Sequence, residues 1–265
     1  MKLILCTILF IGTAVVASVV PRIVGGKPAT PHEFPYMVSL QWVKPHHTHF
    51  CGGALLNKRW VLTAGHCVNA LTGNDDIVAG AHSLENPDKY EQRRKALRTF
   101  VHKDYSGGVA PHDIGLIYVS EPFKFNAYVH HLHLPSVEAF YPTGHATISG
   151  WGSTSNTTTQ EYPDLLMKAD LPIQTLDLCF EIFANTPLHS TNVCAGELDG
   201  SKAVCVADSG SPLVQKDSEG DVVVHGLTSW GQVPCGRPGT TGVFVNVSYF
   251  LKWIKETMQN YENQL

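Results

Sequence analysis

Short apolar runs rich in strand-forming residues recur along most of this chain, separated by clusters of Gly, Pro, Asn and Asp. They cover residues 36–43, 60–63, 114–119, 146–149, 222–224 and 242–245. Many short strands without alternating helices predict an all-β barrel or sandwich. The periodicity changes only at the end. From Tyr249 onward, Phe250, Ile254, Thr257 and Met258 recur at helical spacing, which predicts a helix with one apolar face on the β-structure. The beginning follows another rule. Lys2 precedes an apolar run over residues 3–16, and the small Ala17 and Ser18 follow. That pattern reads as a secretory signal peptide over residues 1–18. The run is short for a membrane span, and no later segment is apolar enough to cross a bilayer.

Composition narrows the function. The 265 residues are 43% hydrophobic and 16% charged, with a formal net charge of -4. Losing the first 22 residues removes Lys2 and Arg22 and no acid, which gives about -6. Nothing resembles the basic footprint of a nucleic-acid binder. Seven cysteines become six when Cys6 leaves with the signal, an even set that suggests three disulfides of open connectivity. His46, His47 and His49 read as a solvated loop and not a metal cluster, and His130, His131 and His133 are read the same way. No cofactor or metal site is expected. Asn156-Thr157-Thr158 and Asn246-Val247-Ser248 are glycosylation acceptors. Asn156 is the better placed, in a Ser/Thr-rich loop, because Asn246 is near a strand.

Three segments carry candidate chemistry. In Cys205-Val206-Ala207-Asp208-Ser209-Gly210-Ser211-Pro212, small residues let other backbone approach the Ser209 hydroxyl, as a nucleophile requires. Thr63-Ala64-Gly65-His66-Cys67 places a histidine just after an apolar strand, and His112-Asp113-Ile114 places an aspartate at the start of another. Alone, each has an ordinary reading: a surface turn, a packed histidine, a turn-forming aspartate. The set of His66, Asp113 and Ser209 does not. Arg22 before Ile23-Val24-Gly25-Gly26 adds a possible cleavage point.

With Gly150-Trp151-Gly152 and Ser229-Trp230-Gly231, these motifs stand in the order found in trypsin- and chymotrypsin-like serine endopeptidases, and the resemblance runs from Ile23 to the C-terminal helix. It implies two six-stranded antiparallel β-barrels with a C-terminal α-helix, and a site in the cleft between them. It implies a protease domain over residues 23–265 behind an activation peptide, residues 19–22. His66, Asp113 and Ser209 would form the catalytic triad. The N–H groups of Ala207 and Ser209 would form the oxyanion hole, and Ser229-Trp230-Gly231 would pair with substrate backbone. The implied disulfides are Cys51–Cys67, Cys179–Cys194 and Cys205–Cys235. Cleavage after Arg22 would free an Ile23 ammonium to pair with Asp208, so the chain would be a zymogen awaiting a trypsin-like activator.

The departures from the family pattern are as informative. By the same resemblance Ala203 would occupy the base of the specificity pocket, where trypsin-like members carry aspartate, and Gly231 and Gly242 would leave the walls open. An open, uncharged slot suits a large apolar residue, hence chymotrypsin-like preference, with trypsin-like preference as the alternative. Ala207 stands where the family has glycine. If that position needs φ > 0, its Cβ costs on the order of 1–2 kcal/mol. Ser211 replaces a second family glycine. In residues 80–92, where some relatives bind calcium, Glu91 fits one ligand but Ala81 cannot supply another, so no calcium is expected there. The reading is a secreted, monomeric endopeptidase of digestion, saliva or venom, with protein substrates and protein inhibitors as partners and neither nucleic acid nor membrane. The competing reading is a catalytically weakened homologue acting as an adaptor or lectin-like agglutinin, or a protease with an added lectin-like surface.

Overall fold

A computed structural model describes residues 23–44 and 46–265. The expected signal peptide, Cys6, the activation segment and Arg22 lie outside the described residues. After a two-residue strand β1 (Lys27–Pro28), six strands close on themselves: β2 (Met37–Trp42), β3 (Thr48–Leu55), β4 (Trp60–Thr63), β5 (Asp76–Ala79), β6 (Gln92–Val101) and β7 (Gly115–Val119). Their order is β2-β3-β4-β7-β6-β5, a closed barrel that leaves no free edge. Side chains alternate faces along a strand. Val61, Ile117 and Val119 point into the barrel core. Trp60, Leu62, Leu116 and Tyr118 pack in a second cluster with residues of the C-terminal half. Burial on both faces explains why β4 and β7 read as unbroken apolar runs.

The second half corrects the expectation of a matching six-stranded barrel. Its strands are β8 (His145–Gly150), β9 (Met167–Pro172), β10 (Asn192–Ala195), β11 (Pro212–Lys216), β12 (Val222–Trp230) and β13 (Gly242–Asn246). With β1 on one edge they form a seven-stranded sheet, β1-β9-β8-β11-β12-β13-β10. Among the described residues a single isolated bridge, Ile173 with Ala195, links the end of β9 to β10. There Gly196 N–H donates to Pro172 O at 3.0 Å and Gln174 N–H to Cys194 O at 2.9 Å.

Among the described residues three α-helices complete the fold: α1 (Gly65–Asn69), α2 (Leu176–Ile182) and α3 (Leu251–Glu262). The chain pattern foretells α3 but not α2, which has two turns and one buried residue, Cys179. Thr175 caps α2 by accepting the Leu178 N–H. The apolar face of α3 lies on the first barrel: Ile254 is fully buried, and Tyr261 packs edge-on against Tyr118 at 4.9 Å between ring centres. Trp60 Nε1 donates to Glu262 Oε1 at 2.8 Å, so the last turn of the chain is tied to the first barrel. The expected disulfides Cys51–Cys67, Cys179–Cys194 and Cys205–Cys235 are all present. Among the described residues no helix is long and apolar enough to cross a membrane.

Ile254→Ala should lower unfolding free energy by about 2–5 kcal/mol. Lys252→Ala, on the exposed face of α3, should change it by less than about 0.5 kcal/mol. Denaturant titration of both variants checks the assignment of the buried face.

Candidate active site

The turn over residues 205–212 is gripped from both halves. Gly52 N–H on β3 donates to Ser209 O at 2.8 Å, and Gly210 N–H donates to Thr228 O on β12 at 2.7 Å. Gly210 has φ +77°, and a Cβ there would lie 2.2 Å from Thr63 Oγ1 and 2.5 Å from Gly52 O. Ser209 therefore stands beside the loop that begins α1, which carries His66. Among the described residues neither the Ala207 nor the Ser209 N–H is spent on a hydrogen bond. Ala207 has φ 71°, a left-handed conformation that disfavours a side chain.

Asp113 lies between the halves. Its buried carboxylate accepts the His66 N–H at 2.8 Å, His66 Nδ1–H at 2.7 Å and Ser229 Oγ–H at 2.5 Å. The third donor comes from β12, so a second-half serine completes a first-half histidine–aspartate pair. Sequence motifs include Ser229 but give no hint of this contact. With its hydrogen on Nδ1, His66 presents a lone pair at Nε2. Among the described residues neither that atom nor Ser209 Oγ makes a hydrogen bond, an arrangement common before substrate arrives. His66 and the sulfurs of Cys51 and Cys67 lie close together, but those sulfurs are bonded to each other and offer no metal ligand.

A model of the Trypsin family matches residues 23–254. The chain belongs to the trypsin family of serine endopeptidases. It is 37% identical over 258 residues to Lectizyme of Glossina austeni, covering 92% of this chain and 89% of that protein. It is 34% identical to Trypsin-1 of Astacus astacus, covering 88% and 98% of the two chains. With the clotting factor G beta subunit of Tachypleus tridentatus the identity is 33%, over 90% of this chain and 80% of that one.

Around this protease's candidate triad the expected pocket residues are distributed unevenly. Ala203 is buried and pairs with Val24, whose carbonyl accepts the Ala203 N–H at 3.1 Å. Gly242 backs directly onto Val204, whereas Gly231 faces open space. On the other side of the turn, a cleft of about 560 Å³ opens against Val206 and Ala207. Trp42 stacks on Phe50 in its wall, with ring centres 4.5 Å apart.

Ile23 is fully buried in the second-half core beside Ile148 and Phe244. Asp208 is also fully buried, and its carboxylate accepts the Cys205 and Gly152 N–H groups, each at 2.9 Å. Burial outweighs these bonds and pushes its pKa up to about 7. Glu91, the one candidate calcium ligand, is paired with Arg93 at 2.9 Å.

Two expectations are corrected. His49 is not a free loop residue: its Nδ1 meets Ser39 Oγ at 2.8 Å, and its Nε2–H donates to Ala207 O at 3.0 Å. Burial drives its pKa down to about 4, against the raising effect of the Ala207 bond. Its partner is 158 positions away in sequence, so no local signal marks it. Asn246 is fully buried and donates to Phe140 O at 3.0 Å, which closes it to a glycan in the folded chain; Asn156 is exposed.

Two predictions follow from the turn. Ala207→Gly should stabilise the protein by up to about 1 kcal/mol, because relief of the left-handed strain exceeds the added chain entropy of glycine. Thermal denaturation reads this directly. The second concerns pH. Asp208 binds a proton on folding between its ordinary 3.8 and about 7, so its contribution falls as pH rises through that window. His49 loses one on folding between 6.5 and about 4, so its contribution is present above 6.5 and lost as pH falls. With Asp208 held only by these neutral donors, the two slopes oppose each other between pH 4 and 6.5. Asp208→Asn should leave stability rising with pH there, and His49→Gln should leave it falling. Urea titrations across that range separate them.

Proposed function

We propose that this protein is a secreted, zymogen-derived endopeptidase that cleaves after large apolar residues. The observation that carries the reading is the His66–Asp113 pair, completed by Ser229 and set beside a serine turn with two unspent N–H groups. Ser209 Oγ attacks the scissile carbonyl while His66 Nε2 takes its proton. The imidazolium, held by Asp113, then gives that proton to the leaving amine. Water repeats the cycle on the acyl-enzyme and releases the acid product. The Ala207 and Ser209 N–H groups receive the oxyanion, and the backbone of Ser229-Trp230-Gly231 pairs with the substrate strand.

Activation is the cut between Arg22 and Ile23. It creates an ammonium at the residue that leads into the core, and Asp208 is a buried carboxylate with only neutral donors. Pairing of the two relieves an uncompensated buried charge and fixes the turn. Ala203 provides no acid for a basic substrate side chain, so a separate trypsin-like enzyme performs the cut. One observation favours a second reading, a weakened homologue that binds and does not cleave: Ala207 adopts φ 71° in the candidate oxyanion hole.

Trypsin-treated protein should react stoichiometrically with a fluorophosphonate at Ser209 and then cleave after Phe and Tyr in a peptide library. Absence of labelling in correctly processed protein rejects the enzyme in favour of the binding homologue. Rapid cleavage after Arg or Lys rejects the assignment of the Ala203 pocket alone. Ser209→Ala should abolish turnover, and Ala207→Gly should raise it.

A further inference from the structure

Asp113 is held at both ends by histidines. His112 precedes it with φ 65°, a left-handed conformation, and the His112 carbonyl accepts the Ile114 N–H at 2.8 Å, which closes a tight turn around the aspartate. On the far side His102 N–H donates to the Ile114 carbonyl at 3.1 Å. The two imidazoles stack, with ring centres 5.2 Å apart and planes inclined by 13°. Phe250 meets both rings edge-on, 5.8 Å from His112 and 5.3 Å from His102, and Trp253 packs on His102 at 5.3 Å. His189, from the second half, lies 5.7 Å from His112. Movement of either stacked ring therefore acts on one end of the Asp113 turn.

The hydrogen bonds in this cluster suit neutral rings. His102 Nδ1 accepts the Asp104 N–H at 3.3 Å, and His189 Nδ1 accepts the Thr191 N–H at 3.3 Å. Each ring therefore carries its hydrogen on Nε2, and a second proton on Nδ1 breaks the bond to the backbone. His112 Nδ1 is buried and has no partner among the described residues. In a neutral ring that atom is a bare lone pair; in the imidazolium it is a charged N–H without an acceptor. Charge compensation is thin. Lys103 adds a positive charge, and Phe250 and Trp253 bring none. The Asp113 carboxylate is taken by its three donors. Asp104 supplies an acid, but it is exposed, and its Oδ2 stands 3.9 Å from His102 Nδ1. Burial first, then the neighbouring His112, holds the pKa of His102 below 6.5, and burial and then His189 do the same for His112. Both rings thus give up a proton on folding, and the stability they contribute is complete above 6.5 and lost as pH falls.

We propose, resting on the triad reading above, that His102 and His112 are positioning residues for Asp113 and that proton uptake by their stack turns the enzyme off in acid. Neutral, the rings lie against each other and hold the aspartate turn closed. Charged, they repel each other, lose the backbone partner and pull apart the His112 and Ile114 ends of the turn. Asp113 then no longer orients His66, whose Nε2 must face Ser209 to take its proton. Inactivation needs protons at two places, His66 and the stack, so it is steeper than protonation of His66 alone. Return to neutral pH restacks the rings and restores activity.

The test is the rate at which a fluorophosphonate labels Ser209 in trypsin-treated protein, followed from about pH 8.5 down to about 4.5. Below about pH 6 wild type should lose rate about tenfold more per pH unit than the double variant His102→Phe/His112→Asn. Phenylalanine keeps a flat ring, and asparagine tolerates the left-handed backbone without taking a proton. Each single variant should fall between the two. Far-ultraviolet circular dichroism at each pH establishes that the proteins are folded. Wild type returned to about pH 8.5 should regain its rate; a loss that does not return is unfolding and overturns the switch. A purely structural role lowers the variants' rates at every pH and leaves the acid limbs parallel, which overturns the positioning role while the triad stands. No labelling of wild type at about pH 8.5 overturns the triad and the switch together.

Discussion

The closeness of one turn to one barrel is the constraint on which the rest of this enzyme depends. Residues 205–212 belong to the second half by chain connection but touch the first half by contact. A Cβ on Gly210 would sit 2.2 Å from Thr63 Oγ1, so only a glycine lets Ser209 come this near the His66 loop. The same logic explains Gly150-Trp151-Gly152. A Cβ on Gly152 would lie 2.2 Å from Asp208 Cγ, in the space the buried carboxylate occupies. Trp151 between these glycines is fully buried and fixes the strand end that carries them. These motifs are short because they record points of contact between distant backbones, and a contact needs only one or two residues on each side.

Asp208 gives that turn a second property, dependence on charge. A fully buried carboxylate held only by two backbone N–H groups is poorly compensated, and its raised pKa expresses this. His49, held on the carbonyl of the preceding residue, is shifted in the opposite sense. The chain thus balances two desolvated groups of opposite type around one peptide plane. On the proposed reading, a cation supplied to Asp208 by the Arg22–Ile23 cut would break that balance and act on the backbone turn.

Local pattern and long-range contact differ in what a sequence reveals. β4 and β7 were legible because burial on both faces writes continuous apolar runs. α3 was legible because one buried face writes a helical period. β6 was not: Gln92, Arg93, Arg94 and Lys95 begin a strand whose side chains are only partly buried, so no alternation marks it. The open second sheet was also hidden, since closure depends on where β9 meets β10 and not on either strand's composition. In the site, His66, Asp113 and Ser209 were readable through their motifs. The contacts of Ser229 with Asp113 and of His49 with Ala207 span 116 and 158 positions and leave no trace in either neighbourhood.

On the proposed reading, specificity and activation would be coupled through the same few residues. The N–H of Ala203, at the base of the candidate pocket, is held by the Val24 carbonyl, and Val24, Ala203, Cys205 and Cys235 pack as one small cluster. Gly25 sits so close to Ser201 that a Cβ would lie 1.8 Å from its carbonyl oxygen. On the proposed reading the segment after Arg22 would do more than deliver a charge to Asp208, because Val24 holds Ala203 and Gly25 admits no side chain. On the proposed reading, a chain whose N-terminal segment is undocked lacks both a settled turn and a settled pocket. Turnover and selectivity would then appear together on cleavage. The apolar floor at Ala203 would also leave the chain unable to recognise the Arg22 that must be cut.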